Sequence, residues 1–572
     1  MYLDELFRSF RPLHNPIGFG VADFVLLAAV LLGAAVILLR AAISAHLSQI
    51  IKRTPIAMAF LAVLVVGLRL LLLKASPVPA ADGADDFSYL LSADTLRHFR
   101  LANAPHPFSQ FFEAVFVLQS PTYSSIYPLG QGLVLAAGKV AFGSFWAGVL
   151  LSGGAFAALC YWMLRGWTSP RWAFLGGILA VVQFGPLNSW TNSYWGGFVS
   201  GAAGCVVFGA LPRLPARRAA LLLGLGLGLQ VLSRPFECVF LLAAMLLYGL
   251  FTKRTPRPWS LKVGQLTLIG FVPAILLTGL QDRAVTGRWL TMPYQLSRYQ
   301  YGVPTTFTFQ ANPVPHRALT SEQDLDYRAQ SAIHGPGTDS VGSYFQRLGY
   351  RVRFFRFFWL APLCLAVPFF WPEFRHREGW WVAGTILIFF AGTNFYPYFF
   401  PHYVAAIASL LLLVSVKGLE NLAALPWGEF PWGTFAANAI VLVCGVHFLF
   451  WYGLRLIGNE NILPATAYES WDYVNTDDPA GRLAVRQALA QEPGQKLVFV
   501  RYSAGHRFAE WIGNAADIDR SEVVWARDLG GPEDEKLMRY FPARQAWLLE
   551  PDVRPPKLTP YVSEPAPFEP VH

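Results

Sequence analysis

Long apolar runs broken by short polar stretches set the first expectation for this chain. Runs long enough to cross a hydrocarbon core recur at about 19–39, 55–74, 145–164, 171–187, 194–211, 218–232, 236–251, 262–280, 353–371, 380–396, 402–416 and 433–453. The pattern predicts an α-helical polytopic membrane protein with about twelve transmembrane helices. Two polar insertions, 75–144 and 281–352, interrupt it, and from 456 onward the long apolar runs stop. The chain therefore divides into a membrane core, 1–455, and a second domain, 456–572. In that domain "KLVFVRY" (496–502), "EVVWARD" (522–528) and "QAWLLEP" (545–551) read as short strands, with helices near 479–492 and 532–541, giving a small α/β domain. Its Pro-rich end, "PDVRPPKLTPYVSEPAPFEP", reads as an extended, partly disordered tail.

The insertions have patterns of their own. In "DDFSYLLSADTLRHF" the apolar Phe87, Leu90 and Leu91 fall at helical spacing, which predicts a short amphipathic helix in the membrane interface beginning at Phe87. A second is predicted over 129–142. The insertion at 281–352 is dense in Tyr, Pro and Gly and too long for a plain connector, so it reads as a functional loop or lid.

Composition agrees, with 54% of residues hydrophobic and 14% charged. Short-loop cations set the orientation, because cytoplasmic loops carry the excess of Lys and Arg. Arg40, Lys52 and Arg53; Arg165 and Arg171; Arg213, Arg217 and Arg218; Lys253, Arg254, Arg257 and Lys262; Arg375 and Arg377; and Lys417 all fall on one face if the spans hold. Both insertions and the tail domain then share the opposite, outer face. The start departs from this, since an outer N-terminus with Arg8 and Arg11 is unusual; 19–39 reads either as an added span or as a surface helix. The first eighteen residues lack the apolar core and cleavage site of a secretory signal, so the first spans themselves would direct insertion.

The net charge of +9 is unevenly spread: 33 Lys and Arg against 18 Asp and Glu through residue 455, then 12 against 18. Topology accounts for the excess, with anionic lipid head groups as partners of the loop cations. No basic stripe interleaved with aromatics points to nucleic acid. All five cysteines lie in or beside apolar runs, which argues against a disulfide framework or a Cys-rich metal site.

The chemistry-bearing residues collect at predicted outer junctions. Asp85 and Asp86 follow a span by about eleven residues, where a carboxylate could take a proton from an acceptor hydroxyl; equally, both could cap the helix after them. Arg97, His98, Arg100 and His106 suit a phosphate, or else greet lipid head groups. Tyr123 and Tyr127 in "SPTYSSIYPLGQG", like "NSWTNSYWGG" at 188–197, read as a sugar platform or as interfacial anchors. Arg234 in "LSRPFE" and His402 in "FFPHYVAA" sit at outer junctions beside a proline, as functional ionisable groups or as snorkelling ones.

An aliphatic span followed by "ADDFSYLLSADTLRHFRLANAPHP", "SPTYSSIYPLGQGLVLAAG", "SRPFE", "VTGRWLTMPY" and "FFPHYVAAI" resembles the GT-C glycosyltransferases of the bacterial family-39-like group. Protein O-mannosyltransferases and lipid A aminoarabinose transferases are relatives of that group. The resemblance covers most of 75–405 and leaves the tail domain outside. It implies a GT-C core with two interfacial helices, a polyprenyl-phosphate-linked sugar donor, and an acidic pair at the active site. Asp85 stands at the first acid, the general base, and Asp86 replaces the usual Glu. The family often has a Lys before "YP" to meet the donor phosphate, where this chain has Ile126. Arg97, Arg100, His106, Arg234, Arg298 and His402 are then the phosphate candidates.

The expected activity is transfer of a sugar from that donor to a lipid, glycan or protein acceptor of the cell envelope, at the periplasmic face of a bacterial inner membrane. No cofactor is expected, since Arg and His can supply the charge; a divalent metal at Asp85 and Asp86 stays an alternative. The rival readings are a transporter or flippase for a lipid-linked glycan and a non-catalytic polysaccharide-assembly protein. Ionisable groups at span ends rather than at the midplane favour the enzyme.

Overall fold

The computed structural model describes residues 25, 28–33 and 53–562, except 252–259, 427–430, 458–480, 505, 507 and 508. The segment predicted at 19–39 lies largely outside these. The chain is a helical multi-pass membrane protein whose residues fall into two compact units.

The first unit comprises Met1–Val78, Trp146–Leu276 and Asp339–Asn475. Five helices among the described residues are long and apolar enough to cross a membrane: Thr54–Leu71, Phe145–Leu164, Leu261–Thr286, Pro401–Ala423 and Trp432–Ile457. The last turns of Leu261–Thr286 belong to the second unit. The predicted count of twelve is not reproduced. Pro170–Phe184, Phe198–Ala210, Arg217–Ser233, Pro235–Phe251 and Arg377–Thr393 have 13 to 17 residues, short of the roughly 20 that a 30 Å core needs. The run at 353–371, read as one span, is instead three 3-10 pieces, Arg353–Phe358, Ala361–Leu365 and Val367–Arg375. Pro362, Pro368 and Pro372 remove the backbone donors that a continuous α-helix would need there. Small residues set the packing elsewhere in the unit: a Cβ on Gly204 would lie 1.8 Å from the Ala406 carbonyl oxygen, so that backbone approach requires glycine.

The second unit gathers Pro79–Phe145, Leu277–Thr338 and Thr476–His572. Its helices are α1 (Ala84–Arg97), α2 (Leu129–Phe142), α3 (Pro293–Tyr301), α4 (Ser321–His334), α5 (Arg482–Gln491) and α6 (Gly531–Tyr540). Its strands are β1 (Val117–Leu118), β2 (Ser124–Ser125), β3 (Lys496–Val500), β4 (Val523–Arg527), β5 (Gln545–Glu550) and β6 (Lys557–Pro560). β1 and β2 form a small antiparallel pair. The other four make one sheet in the order β4-β3-β5-β6, parallel through its first three strands and antiparallel at β6.

The central strand β3 is buried throughout, and its apolar run from Leu497 to Val500 suits a strand with parallel neighbours on both sides. β6 corrects the reading of the Pro-rich end, because Leu558 and Thr559 pair with β5 rather than trailing into solvent. One hydrophobic core joins the sheet to the first insertion: Val498, Phe499, Trp511, Ile512 and Leu537 pack with Leu91, Phe111, Phe112 and Tyr123.

Candidate active site

α1 starts at Ala84, three residues earlier than the Phe87 expected, so Asp85 and Asp86 lie inside its first turn. Two carboxylates there meet the positive end of the helix dipole. Their surroundings then separate them. Asp86 is buried and accepts the Asp82 backbone N–H at 3.2 Å, holding the chain as it enters the helix. Asp85, partly buried, accepts a hydrogen bond from the Tyr127 hydroxyl.

Tyr127 reaches Asp85 because of local packing. It precedes Pro128, which sits extended at the start of α2, and its backbone N–H is bonded to Ser125 Oγ while its carbonyl accepts Gln281 Nε2 at 2.8 Å. α2 lies close against α1 because a Cβ on Gly132 would be 2.4 Å from Ser92 Oγ. Tyr89, one turn beyond Asp85 on α1, stacks on the Tyr127 ring at 4.3 Å between centroids. Burial, and after it the charge of Asp85, raises the Tyr127 hydroxyl well above its usual range, so it keeps its proton and acts as a donor.

A second carboxylate joins this group from the other insertion. Asp326 on α4 is partly buried and accepts Gln330 Nε2 at 2.7 Å. Burial first, then Asp85 and Glu510, raise it to about 7, against the pull of Gln330. The polar pattern "SEQDLDYR" carries no signal that would single Asp326 out. Gln281 was equally illegible, as was its neighbour Asp282, buried with one carboxylate oxygen that has no hydrogen-bond partner. α3 and α4 are held by Glu113, which accepts Arg317, the Tyr301 hydroxyl at 3.1 Å and Gln323 Nε2 at 3.1 Å. Among the described residues no group of three or more His, Cys, Asp or Glu is placed to hold a metal ion.

The other predicted residues are dispersed. Arg97 pairs with Asp94 at the far end of α1, about 18 Å from Asp85 at 1.5 Å per residue. With His98 and Arg100 it lines a cleft of about 340 Å³ shared with Asp517 and Arg520. His106 bonds Asp519 through Nε2 at 3.0 Å and accepts the Phe108 N–H through Nδ1. Arg298 donates to the carbonyls of Pro304 and Thr305 at 3.0 and 3.1 Å, holding its own loop. Tyr123 is buried and donates to the Asn514 carbonyl. Arg234 and His402 belong to the first unit and meet at one ring there: the Arg234 guanidinium lies 5.0 Å from the centroid of Tyr403, and His402 stands edge-on to the same ring at 4.8 Å.

Solved structures similar to this chain include three at low identity. ArnT from Cupriavidus metallidurans, bound to undecaprenyl phosphate, matches at 12% identity over 77% of this chain and 82% of its own, with a TM-score of 0.46. The archaeal oligosaccharyltransferase AglB from Archaeoglobus fulgidus, in complex with an inhibitory peptide and a dolichol-phosphate, matches at 12% over 86% and 69%, with a TM-score of 0.38. The arabinofuranosyltransferase AftD from Mycobacteria matches at 13% over 77% and 29%, with a TM-score of 0.34. No family model and no curated protein matches. At these scores the roles of individual residues rest on this chain's own geometry.

Proposed function

We propose that the protein is an inner-membrane glycosyltransferase that moves a sugar from a polyprenyl-phosphate carrier to a cell-envelope acceptor on the outer face, with Asp85 as general base. The observation that carries this reading is the Tyr127 hydroxyl bonded to Asp85 in the first turn of α1. That bond and the stacked Tyr89 fix the carboxylate's rotamer, and a base held in place is what proton abstraction from a hydroxyl requires.

In the proposed reaction the acceptor oxygen attacks the anomeric carbon, its proton passes to Asp85, and the bond from that carbon to the lipid phosphate breaks with inversion. The departing phosphate gains charge, which nearby cations would stabilise. Within the first unit, Arg234 stacks on Tyr403 beside His402, and its planar fork is of the kind that suits two phosphate oxygens. Arg298 and His106, whose polar atoms already hold protein groups, take a structural share.

The test is transfer of label from a radiolabelled polyprenyl-phosphate sugar pool to crude envelope acceptors by purified parent protein and Asp85→Asn. Parent activity with loss of at least about 100-fold in the variant is expected for a removed general base. Binding of the pool without transfer by the parent would favour the transporter reading instead.

A further inference from the structure

The C-terminal domain lies outside the motifs of the resemblance, yet a segment of it follows α1 from end to end. Gly83, which enters α1, pairs with Ala509 in an antiparallel bridge. Phe87, in the second turn, packs on Gly513 so closely that a Cβ there would lie 2.1 Å from its ring. Asp94, near the far end, accepts the Ala516 N–H at 2.8 Å. Seven extended residues can reach about 23 Å, enough to run beside the roughly 17 Å that α1 rises between residues 83 and 94.

The segment is itself anchored. Glu510 accepts the Tyr502 hydroxyl at 3.0 Å and the Val115 N–H at 3.2 Å, and the Asn514 side chain pairs with both backbone groups of Trp525 in β4. Arg482, the first residue of α5, closes the start of α1. Its buried guanidinium lies between the rings of Phe87 and Trp511, 4.9 and 4.2 Å from their centroids, with Nε 3.6 Å from the Asp82 carboxylate. Phe87 and Asp82 flank Asp85 two residues after and three before it. A planar cation stacked between two rings fixes their relative position in a way that a flexible ammonium does not.

We infer that the 509–516 segment and Arg482 form a strap that positions Asp85, so that the C-terminal domain is part of the catalytic apparatus and Arg482 and Gly513 are positioning residues. This rests on the proposed role of Asp85. The strap touches the helix on either side of the carboxylate and sets where the first turn stands; a displacement of about 1 Å at a reacting group can cost about 100-fold in rate.

The experiment uses the full chain in detergent with the radiolabelled polyprenyl-phosphate sugar pool, comparing parent, Arg482→Lys, Arg482→Gln, Gly513→Ala, Gly513→Ala with Phe87→Leu, and Asp85→Asn. Rates against pool concentration and pH are read beside hydrogen exchange of the peptide covering 83–97. Gly513→Ala and Arg482→Gln are expected to lower kcat at least about 10-fold, with KM for the pool within about 2-fold and faster exchange at the start of α1. Phe87→Leu should restore part of the kcat lost in Gly513→Ala, because the smaller side chain makes room for the added methyl, and Arg482→Lys should fall between parent and Gln. Should Gly513→Ala fail to fold, the arginine pair decides. Activity and exchange at parent levels in both arginine variants, with Asp85→Asn inactive, would overturn the strap alone. Full activity in Asp85→Asn would overturn the base on which it rests.

Discussion

At the residue scale, the first turn of α1 gives two neighbouring aspartates different work. Asp86 is committed to backbone, whereas Asp85 is held by a tyrosine that burial keeps protonated. Tyr127→Phe removes a hydrogen bond to a charged group, about 1.5–3 kcal/mol. The expected result is a rate roughly 10-fold or more lower, with the acidic limb of the pH–rate profile moved to higher pH, since the lost donor favoured the ionised carboxylate. An unchanged profile would show that the bond does not tune the base.

Asp326 gives a second pH prediction at this scale. Its carboxyl, raised to about 7, ionises as pH climbs through neutrality, and the added negative charge makes Asp85 a stronger base. The rate should therefore rise through a limb near pH 7 in the parent, and Asp326→Asn should lack that limb. The stability effect has the opposite sense. A carboxyl raised in the folded state holds a proton that the unfolded chain has lost, so its contribution to stability falls as pH rises from about 4 to about 7. Thermal melts of Asp326→Asn across that window should slope less steeply than the parent's.

At the element scale, buried ion pairs hold the second insertion in place. Glu322 on α4 pairs with Arg527 on β4, both largely buried, and Arg317 pairs with Glu113. Removing one partner of a buried pair leaves the other charge uncompensated, at a cost of about 3 kcal/mol or more. Arg527→Ala should lower the melting temperature and open the 303–340 region to limited proteolysis, while Arg520→Ala, whose side chain is 88% exposed, should do neither.

This is also the scale at which the sequence was most legible. α2 over 129–142 and the strands β3, β4 and β5 lie where apolar spacing put them. Periodicity reports one face of a local element, which is why it missed β6: Lys557–Pro560 has no apolar alternation and is a strand only because β5 offers it an edge. It likewise ran 353–371 together as a span, since hydropathy counts Phe and Leu without weighing Pro362 and Pro368 among them or Pro372 just after.

At the scale of the whole molecule, the second unit is assembled from three stretches far apart in sequence, and this explains what could not be read in advance. Asp85 and Tyr127 were visible because they lie within motifs of one insertion. Asp326, Glu510, Arg482 and Gly513 acquire meaning only once long-range packing brings them to α1 or into electrostatic reach of Asp85. Arg97, which shares α1 with Asp85, and Arg100, three residues past its end, are carried away from the carboxylate by the helix itself.

The proposed reaction turns on one carboxylate. Its most direct test is the rate of label transfer from the polyprenyl-phosphate sugar pool by Asp85→Asn, an isosteric change that keeps the side chain's shape and removes its basicity. A general base at this position requires at least about a 100-fold loss with pool binding retained; transfer at the parent rate would rule Asp85 out as the base.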